Sequence, residues 1–473
     1  MAQTIMNKTK TNTIKFDPYS FTDKTSVGWE FDPKAKPQDN FMVSIQTEAE
    51  QFLDDPAGEI DRIREGLPIN NVMVFENNAV RRTEAGKGGG PRQHPTQGIV
   101  DGKDVFDRLE PILEERDLSL TLGMGESSWG YQPYYAPYSP IAQVDCFGLT
   151  NRQSCMRNPE WIHFQVSSYE ETIRMKPWID SIMFMHERKG PLASLFSGEM
   201  FGARTSFCFC EHCRKAGERR GLDVERAIEG YRKLAKLVQK ADADEPAPAA
   251  GWFISIWRLF MQFPEILGWD QLWWDGLHDY RARIAGAVKV VKPDIRVGCH
   301  IQHNSMTNDF LWRAGDNPVR IAEYSDWIKP SVYMGASGNR ARGMLNRMHA
   351  VLFKDMPLGT AREFIHSIQG HPIDEYPELE KTEGAVAYGA HWVRYELERY
   401  AREQPKPVMA GLGIGIPGGG KAETPELIRE STEACFEGGA HGILLSRSYN
   451  EMRPELLAAA RGVIEERLDL PAK

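Results

Sequence analysis

At 473 residues, with 41% apolar and 26% charged residues, the chain is long enough for one large barrel or for two to three ordinary domains. A net charge of −9 and a pI near 5.8 give no electrostatic support to nucleic-acid binding. No apolar run reaches the roughly 18 residues that span a bilayer, and the opening "MAQTIMNKTKTNTIKFDPYSF" lacks the apolar core of a signal peptide, so a cytoplasmic protein off the membrane is expected.

Residues 1–39 read as an N-terminal extension and 40–473 as one domain. Eight short apolar runs follow in order: "FMVSIQ" (41–46), "NVMVFEN" (71–77), "LSLTLGMGE" (118–126), "DSIMFMHER" (180–188), "DIRVGCHIQHN" (294–304), "DWIKPSVYMG" (326–335), "PVMAGLGIGIP" (407–417) and "HGILLSRSYNE" (441–451). Continuous apolar runs suit strands buried on both faces of a parallel sheet. Helix-like stretches such as "AIEGYRKLAKLVQK" and "PELLAAARGVIEERL" alternate with them. Eight such units predict an α/β fold, a (β/α)8 barrel with long insertions after strands two to four. Residues 189–293 form a cysteine-bearing and helical insertion, broken by the linker "ADADEPAPAAG" at 241–251. The aromatic stretch 252–280 suits helix-to-barrel packing, a sugar wall or the interface of a homo-oligomer.

"FCFCEHC" (207–213) places Cys208, Cys210 and Cys213 in one tight loop. Thiols stay reduced in the cytoplasm, so the cluster predicts a metal, and zinc takes four such ligands. Cys155, on the loop after strand three, Cys146 and His212 compete for the fourth place. A site of four cysteines is closed and therefore structural. Cys299 and Cys435 read as small core residues. A strand ending in a glutamate, then C-x-C-x-x-C, then a helix, with Cys155 upstream beside Asn158-Pro159, resembles the zinc-binding family 42 β-galactosidases. The likeness covers roughly residues 118 to 235. It implies a glycoside-hydrolase barrel whose zinc is held by Cys155, Cys208, Cys210 and Cys213, with an acid/base glutamate after strand four. Two departures stand out. The chain has His186-Glu187 where the family has Asn-Glu, with Glu199 better matching the family's distance to the cysteines. Strand seven, "VMAGLGIGIPGGG", carries no carboxylate where the family keeps its nucleophile.

Barrel chemistry sits at the carboxyl ends of the strands. Those ends carry Glu76, Glu126, Trp129, His186, Glu187, His300, His303, Asn304, Tyr333, Arg447, Tyr449 and Glu451. Paired carboxylates, hydrogen bonders and aromatic platforms are what cleavage of a glycosidic bond needs. Glu187 is the expected general acid, its pKa raised by burial after "SIMFM", with Glu126 and then Glu451 as second carboxylate. Glu76, Trp129, His300, His303, Asn304, Tyr333, Arg447 and Tyr449 are the expected binders of a carbohydrate substrate, Arg447 suiting an acidic sugar. The glycine-rich "GKGGGP" (86–91) and "GIPGGGK" (415–421) match no phosphate or dinucleotide loop and read as lids, so no organic cofactor is expected. Two other readings are a divalent-metal-dependent sugar isomerase or lyase, and a sugar-binding barrel without catalysis.

Overall fold

The computed structural model describes residues 41–75, 99–100, 103–124, 141–198, 204–303, 309–370, 388–415 and 423–470. Eight strands form the framework: β1 (Met42–Glu48), β2 (Asn71–Phe75), β3 (Ser119–Met124), β4 (Ser181–Phe184), β5 (Arg296–Ile301), β6 (Trp327–Val332), β7 (Met409–Gly413) and β8 (Gly442–Ser446). Seven lie inside one of the eight apolar runs, and β1 starts in the first and extends past it to Glu48. All neighbours pair in parallel, and β8 closes on β1 through Met42↔Gly442 to Ile45↔Leu445. The fold is therefore a closed (β/α)8 barrel. Residues 1–39, read as an extension, fall outside the described residues.

Four helices start where the sequence supplies both a cap and a proline. Asp55-Pro56, Asn158-Pro159, Asn317-Pro318 and Thr424-Pro425 each open a helix, the first side chain accepting a backbone N–H and the proline filling a place that needs no donor. One helix is capped from far along the chain. Trp252–Gln262 begins at Gly251, whose φ of 82° suits glycine, and Asp355 accepts from the N–H groups of Trp252 and Phe253 at 3.0 and 2.8 Å.

The insertion between β4 and β5 contributes helices Glu211–Arg219, Val224–Asp242, Trp252–Gln262 and Glu265–Val291. The 241–251 linker joins the second to the third. Helix Glu265–Val291 packs along Pro159–Met175 and buries Trp269, Trp273 and Trp274, so most of the aromatic stretch is packing. The outer face of Trp252–Gln262 differs, exposing Phe253, Ile254, Trp257 and Met261. No helix among the described residues is long and apolar enough to cross a membrane.

Two apolar layers result. The larger joins the outer faces of the strands to the helices. The smaller fills the barrel floor with Met42, Met73, Met183, Trp327, Met409 and Leu444. Trp327 fits because β5 offers Gly298 opposite it, where a Cβ would lie 2.2 Å from the indole. The next inward layer is polar and leads to the mouth.

Candidate active site and thiol cluster

The segment His186-Glu187-Arg188-Lys189-Gly190 leaves the top of β4, and each residue is held by a different neighbour. His186 turns outward and lies buried between the rings of Phe184 and Tyr280, at 5.4 and 5.2 Å. Burial, then the charges of Arg281 and Arg188, holds its pKa well below the usual value. Arg188 donates to the Ser154 carbonyl at 2.5 Å. Lys189 forms a buried ion pair with Asp309 at 2.9 Å and donates to Ser197 Oγ at 2.7 Å. Gly190 admits the Trp274 indole, which a Cβ would meet at 2.5 Å.

Glu187 turns inward, as strand alternation requires. Its Oε1 lies 2.8 Å from His300 Nε2, and its side chain remains 32% exposed at the mouth. Behind His300 sits Lys329 of β6, wholly buried. Lys329 Nζ reaches His300 Nδ1 at 3.4 Å, Tyr333 OH at 3.3 Å and Ser446 Oγ at 3.2 Å. An ammonium has three protons to give and no lone pair, so these three atoms accept. Nδ1 of His300 is therefore an acceptor, the ring proton sits on Nε2, and Glu187 accepts it as an ionised carboxylate. Ser331 Oγ, 3.1 Å from Nδ1, donates on the same side. Room for Lys329 comes from β7: a Cβ on Gly411 would meet Lys329 Cε at 2.4 Å.

The electrostatics agree. Burial pushes the Glu187 carboxyl up, but the hydrogen bond from His300 and the charges of Arg340 and Lys329 outweigh it, and its pKa falls below the usual value. Burial, then Lys329, lowers that of His300, against the pull of Glu187. This reverses the direction expected for Glu187 from the sequence. The apolar run before it signals burial, but the cations come from β6 and the helix beyond it, which the run does not reveal.

Tyr333, just past β6, stacks on His303 at 5.6 Å, with Lys329 Nζ and the Arg340 guanidinium 5.4 and 5.6 Å from its ring centre. Burial raises its pKa, but Lys329 and the bonds to Ser446 and Ser331 prevail and the net shift is downward. His303 is fully buried between Tyr333 and Trp392, so it supports the tyrosine from behind and is closed off from the mouth. Arg447 and Glu451 pair with each other at 2.7 Å, both about half exposed. Tyr449 turns away from the mouth, its OH donating to the Arg62 carbonyl at 3.2 Å beneath the Arg62 guanidinium. Glu76, Glu126, Trp129, Glu199, Asn304, the 86–91 loop and all but Gly415 of the 415–421 loop lie outside the described residues.

Sequence reasoning passed over Lys329, Ser331, Ser446, Arg340 and Glu423. Period-two reading of "WIKPSVY" holds the signal for the first two, since Trp327, Lys329 and Ser331 share the face that leads to Tyr333. Glu423 lies ten residues beyond β7 yet folds back, accepting from Gly415 N at 2.6 Å and packing against Gly335. A carboxylate thus does lie beside the end of β7, although the strand itself has none.

The thiols converge. Sulfur atoms of Cys155, Cys208, Cys210 and Cys213 all lie within 4.8 Å of one another, with Cys155 Sγ 3.6 Å from Cys213 and 3.4 Å from Cys210. Tetrahedral zinc–thiolate bonds of about 2.3 Å place sulfurs about 3.8 Å apart, close to these values and far beyond a disulfide. N–H groups of Val144 and Cys210 point at Cys208 Sγ, and that of Arg157 points at Cys155 Sγ, each at 3.4 Å. Hydrogen bonds with Cys155, Cys208 and Cys213 lower the Cys210 pKa, whereas burial and the bonds within the cluster push the Cys208 and Cys213 thiols well up. The donor set fits a four-coordinate soft metal. Cys146 instead accepts from Ser206 Oγ at 3.3 Å, apart from the four. Cys299 and Cys435 are fully buried in the core. A hairpin (Ala142–Val144 with Thr150–Ser154) carries Cys155, and Phe209 stacks flat on Trp269 at 4.8 Å, so the cluster ties that hairpin to the inserted helices. Through the Arg188–Ser154 bond it also touches the segment bearing Glu187.

No family model matches the chain, and no curated protein matches it. Solved structures do. The barrel superposes on a β-galactosidase from the psychrophilic Marinomonas ef1 with a TM-score of 0.54 at 12% identity, covering 91% of this chain and 61% of that one. A polyextremophilic β-galactosidase from the Antarctic haloarchaeon Halorubrum lacusprofundi gives 0.53 at 13% identity, with 91% and 58% covered. A GH42 β-galactosidase from G. stearothermophilus gives 0.52 at 11%, with 91% and 57% covered. The chain spans about three fifths of the length of these proteins. At such identity the likeness establishes a shared (β/α)8 barrel fold and nothing finer.

Proposed function

We propose that the chain is a glycoside hydrolase in which Glu187 acts as the ionised carboxylate, nucleophile or base for water. The carrying observation is the line Lys329–His300–Glu187 at the barrel mouth, which leaves Glu187 accepting the His300 proton. That state suits attack or proton abstraction at the anomeric centre better than proton donation. The proton for the leaving oxygen then comes from a second acid, for which Glu126 is the first choice. Glu451 and the buried Glu423 follow it. Zinc held by Cys155, Cys208, Cys210 and Cys213 is structural in this reading and supplies no chemistry to the sugar. Clustered reduced thiols favour a reducing compartment such as the cytoplasm. The exposed apolar face of helix Trp252–Gln262 favours a homo-oligomer. The isomerase or lyase reading loses ground, since His303 is walled in and His300 Nδ1 faces an ammonium.

The test is turnover of a panel of aryl glycosides by the wild type, Glu187→Gln and Glu187→Ala. Turnover that both variants lose, and that azide restores to Glu187→Ala, supports the assignment. Equal turnover in all three removes Glu187. No turnover of any aryl or natural glycoside by the wild type sinks the hydrolase reading.

A further inference from the structure

Arg340 adds to the positive field that keeps Glu187 ionised. It stands in the first turn of helix Ser337–His349, which follows β6 through the turn Met334–Ala336. Its guanidinium lies over the Tyr333 ring and is half-buried, with no hydrogen bond or ion pair among the described residues. Its neighbours in the same helix are engaged, Arg342 donating to Asn339 Oδ1 at 2.5 Å. The acid acting on Arg340 is Glu187, which already accepts from His300. Beneath it, Lys329 is a buried cation whose partners His300, Tyr333 and Ser446 are all neutral acceptors. Arg447 also faces Arg340, but its charge is met by Glu451. Among the described residues of the mouth, Arg447 is met by Glu451, Glu187 accepts from His300 and Glu423 accepts from the Gly415 N–H, so none of these carboxylates forms an ion pair with Arg340. Partly desolvated charge is normally paired, and a guanidinium fork matches the oxygens of a carboxylate or sulfate.

We infer that Arg340 is the contact residue of an anion subsite at the barrel mouth, and that the substrate is a sugar bearing a negatively charged substituent, a uronate carboxylate or a sulfate ester. The inference rests on the hydrolase reading for its substrate, but the subsite itself does not need turnover. Lys329 adds charge from below without touching the ligand, because its protons are engaged. Arg447 lies alongside and exchanges Glu451 for the ligand only if the ligand extends that far.

Two measurements on the full chain separate the subsite from the hydrolysis. The first is kcat/KM on 4-nitrophenyl β-D-galactoside and β-D-glucoside against 4-nitrophenyl β-D-glucuronide and a 6-sulfated galactoside, in wild type, Arg340→Gln and Arg340→Lys. The second is calorimetric binding of free glucuronate, galacturonate and galactose 6-sulfate against galactose. Expected is a preference of at least about 10-fold for one anionic class, with the anionic-to-neutral ratio falling about 10- to 100-fold in Arg340→Gln and less in Arg340→Lys. Whether the uronide or the sulfated sugar carries the preference tells carboxylate from sulfate. An unfolding midpoint preserved in Arg340→Gln shows that the lost selectivity is not lost structure. Cleavage that favours neutral glycosides, or a ratio unmoved by Arg340→Gln, overturns the subsite and leaves the hydrolase standing. Binding of an anionic sugar that Arg340→Gln abolishes, with no cleavage of any glycoside, sinks the hydrolase and keeps the subsite. No binding of any anionic sugar removes the subsite.

Discussion

The thiol cluster and the barrel mouth are built in opposite ways. Three of the four sulfurs come from six consecutive residues, and the fourth from a hairpin one loop away. The mouth draws Glu187 from beyond β4, His300 from β5, Lys329 from β6 and Ser446 from β8, with bonded pairs as many as 117 positions apart. Metal chemistry can be written locally, because one loop supplies most of the coordination sphere. A charge relay across a barrel needs four strands in register before any of its bonds exist. Damage to the cluster should therefore act on folding and damage to the mouth on turnover.

The sharpest test of that division pairs two variants. Glu187→Gln should lower turnover by about 10²- to 10⁴-fold with an unfolding midpoint near the wild type's. Cys210→Ser should take bound zinc from about one per chain towards none and lower the midpoint, read by metal analysis and calorimetry. If Cys210→Ser keeps its metal and its midpoint, the cluster is not structural. Lys189→Met should cost about 3–5 kcal/mol in denaturant unfolding, because Asp309 is left as a buried, unpaired carboxylate. A loss under about 1 kcal/mol would show that the strand-four segment is not held by this pair. Gly411→Ala forces Lys329 aside and should cost about 1–3 kcal/mol, with a change in the acid limb of any pH–rate profile as His300 loses its fixed tautomer.

Acid should act next. Burial, then the charges of Arg281 and Arg320, holds His278 down at about 3 in the folded chain, whereas an unfolded histidine titrates near about 6.5. Below about pH 6.5 the unfolded chain binds a proton that the folded one refuses, so this stability is full above that pH and is lost as pH falls towards about 3. Replacing His278 by Asn should flatten the fall by about 1.4 kcal/mol per pH unit, as denaturant midpoints at several pH values would show. Glu187, also depressed, adds a further loss only below the ordinary carboxylate range. The smallest effect belongs to the exposed pair. Arg447→Ala should change stability by less than about 1 kcal/mol, and a larger loss would mean that the Glu451 pair fastens the strand-eight loop.

The same contrast governs what the sequence disclosed. All eight strands were legible, because buried parallel strands need unbroken apolar runs and the chain has eight. Cys208, Cys210 and Cys213 were legible from spacing, whereas Cys155 stood beside Cys146 and His212 for the fourth place until the resemblance to the family 42 β-galactosidases singled it out. Glu187 was found at its strand end, but its ionisation was read in the wrong direction, because Lys329 and Arg340 lie more than 140 residues away. Lys329 looked like an ordinary strand residue until period-two alternation placed it over the glycine of β7. Tyr449 was offered as a binder for its position after β8, but a short turn swings it onto helix Pro56–Gly66.

The barrel floor has a consequence for how such a sequence can drift. Four of its six residues are methionines, unbranched and easily reshaped. Exchanges such as Met73→Leu or Leu444→Met should cost less than about 1.5 kcal/mol. The layer immediately above tolerates far less, since Lys329 needs three acceptors and a missing Cβ at once. Descendants of this chain should therefore vary freely at the bottom of the barrel and hardly at all one residue pair higher, a gradient of permissiveness that runs along the barrel axis.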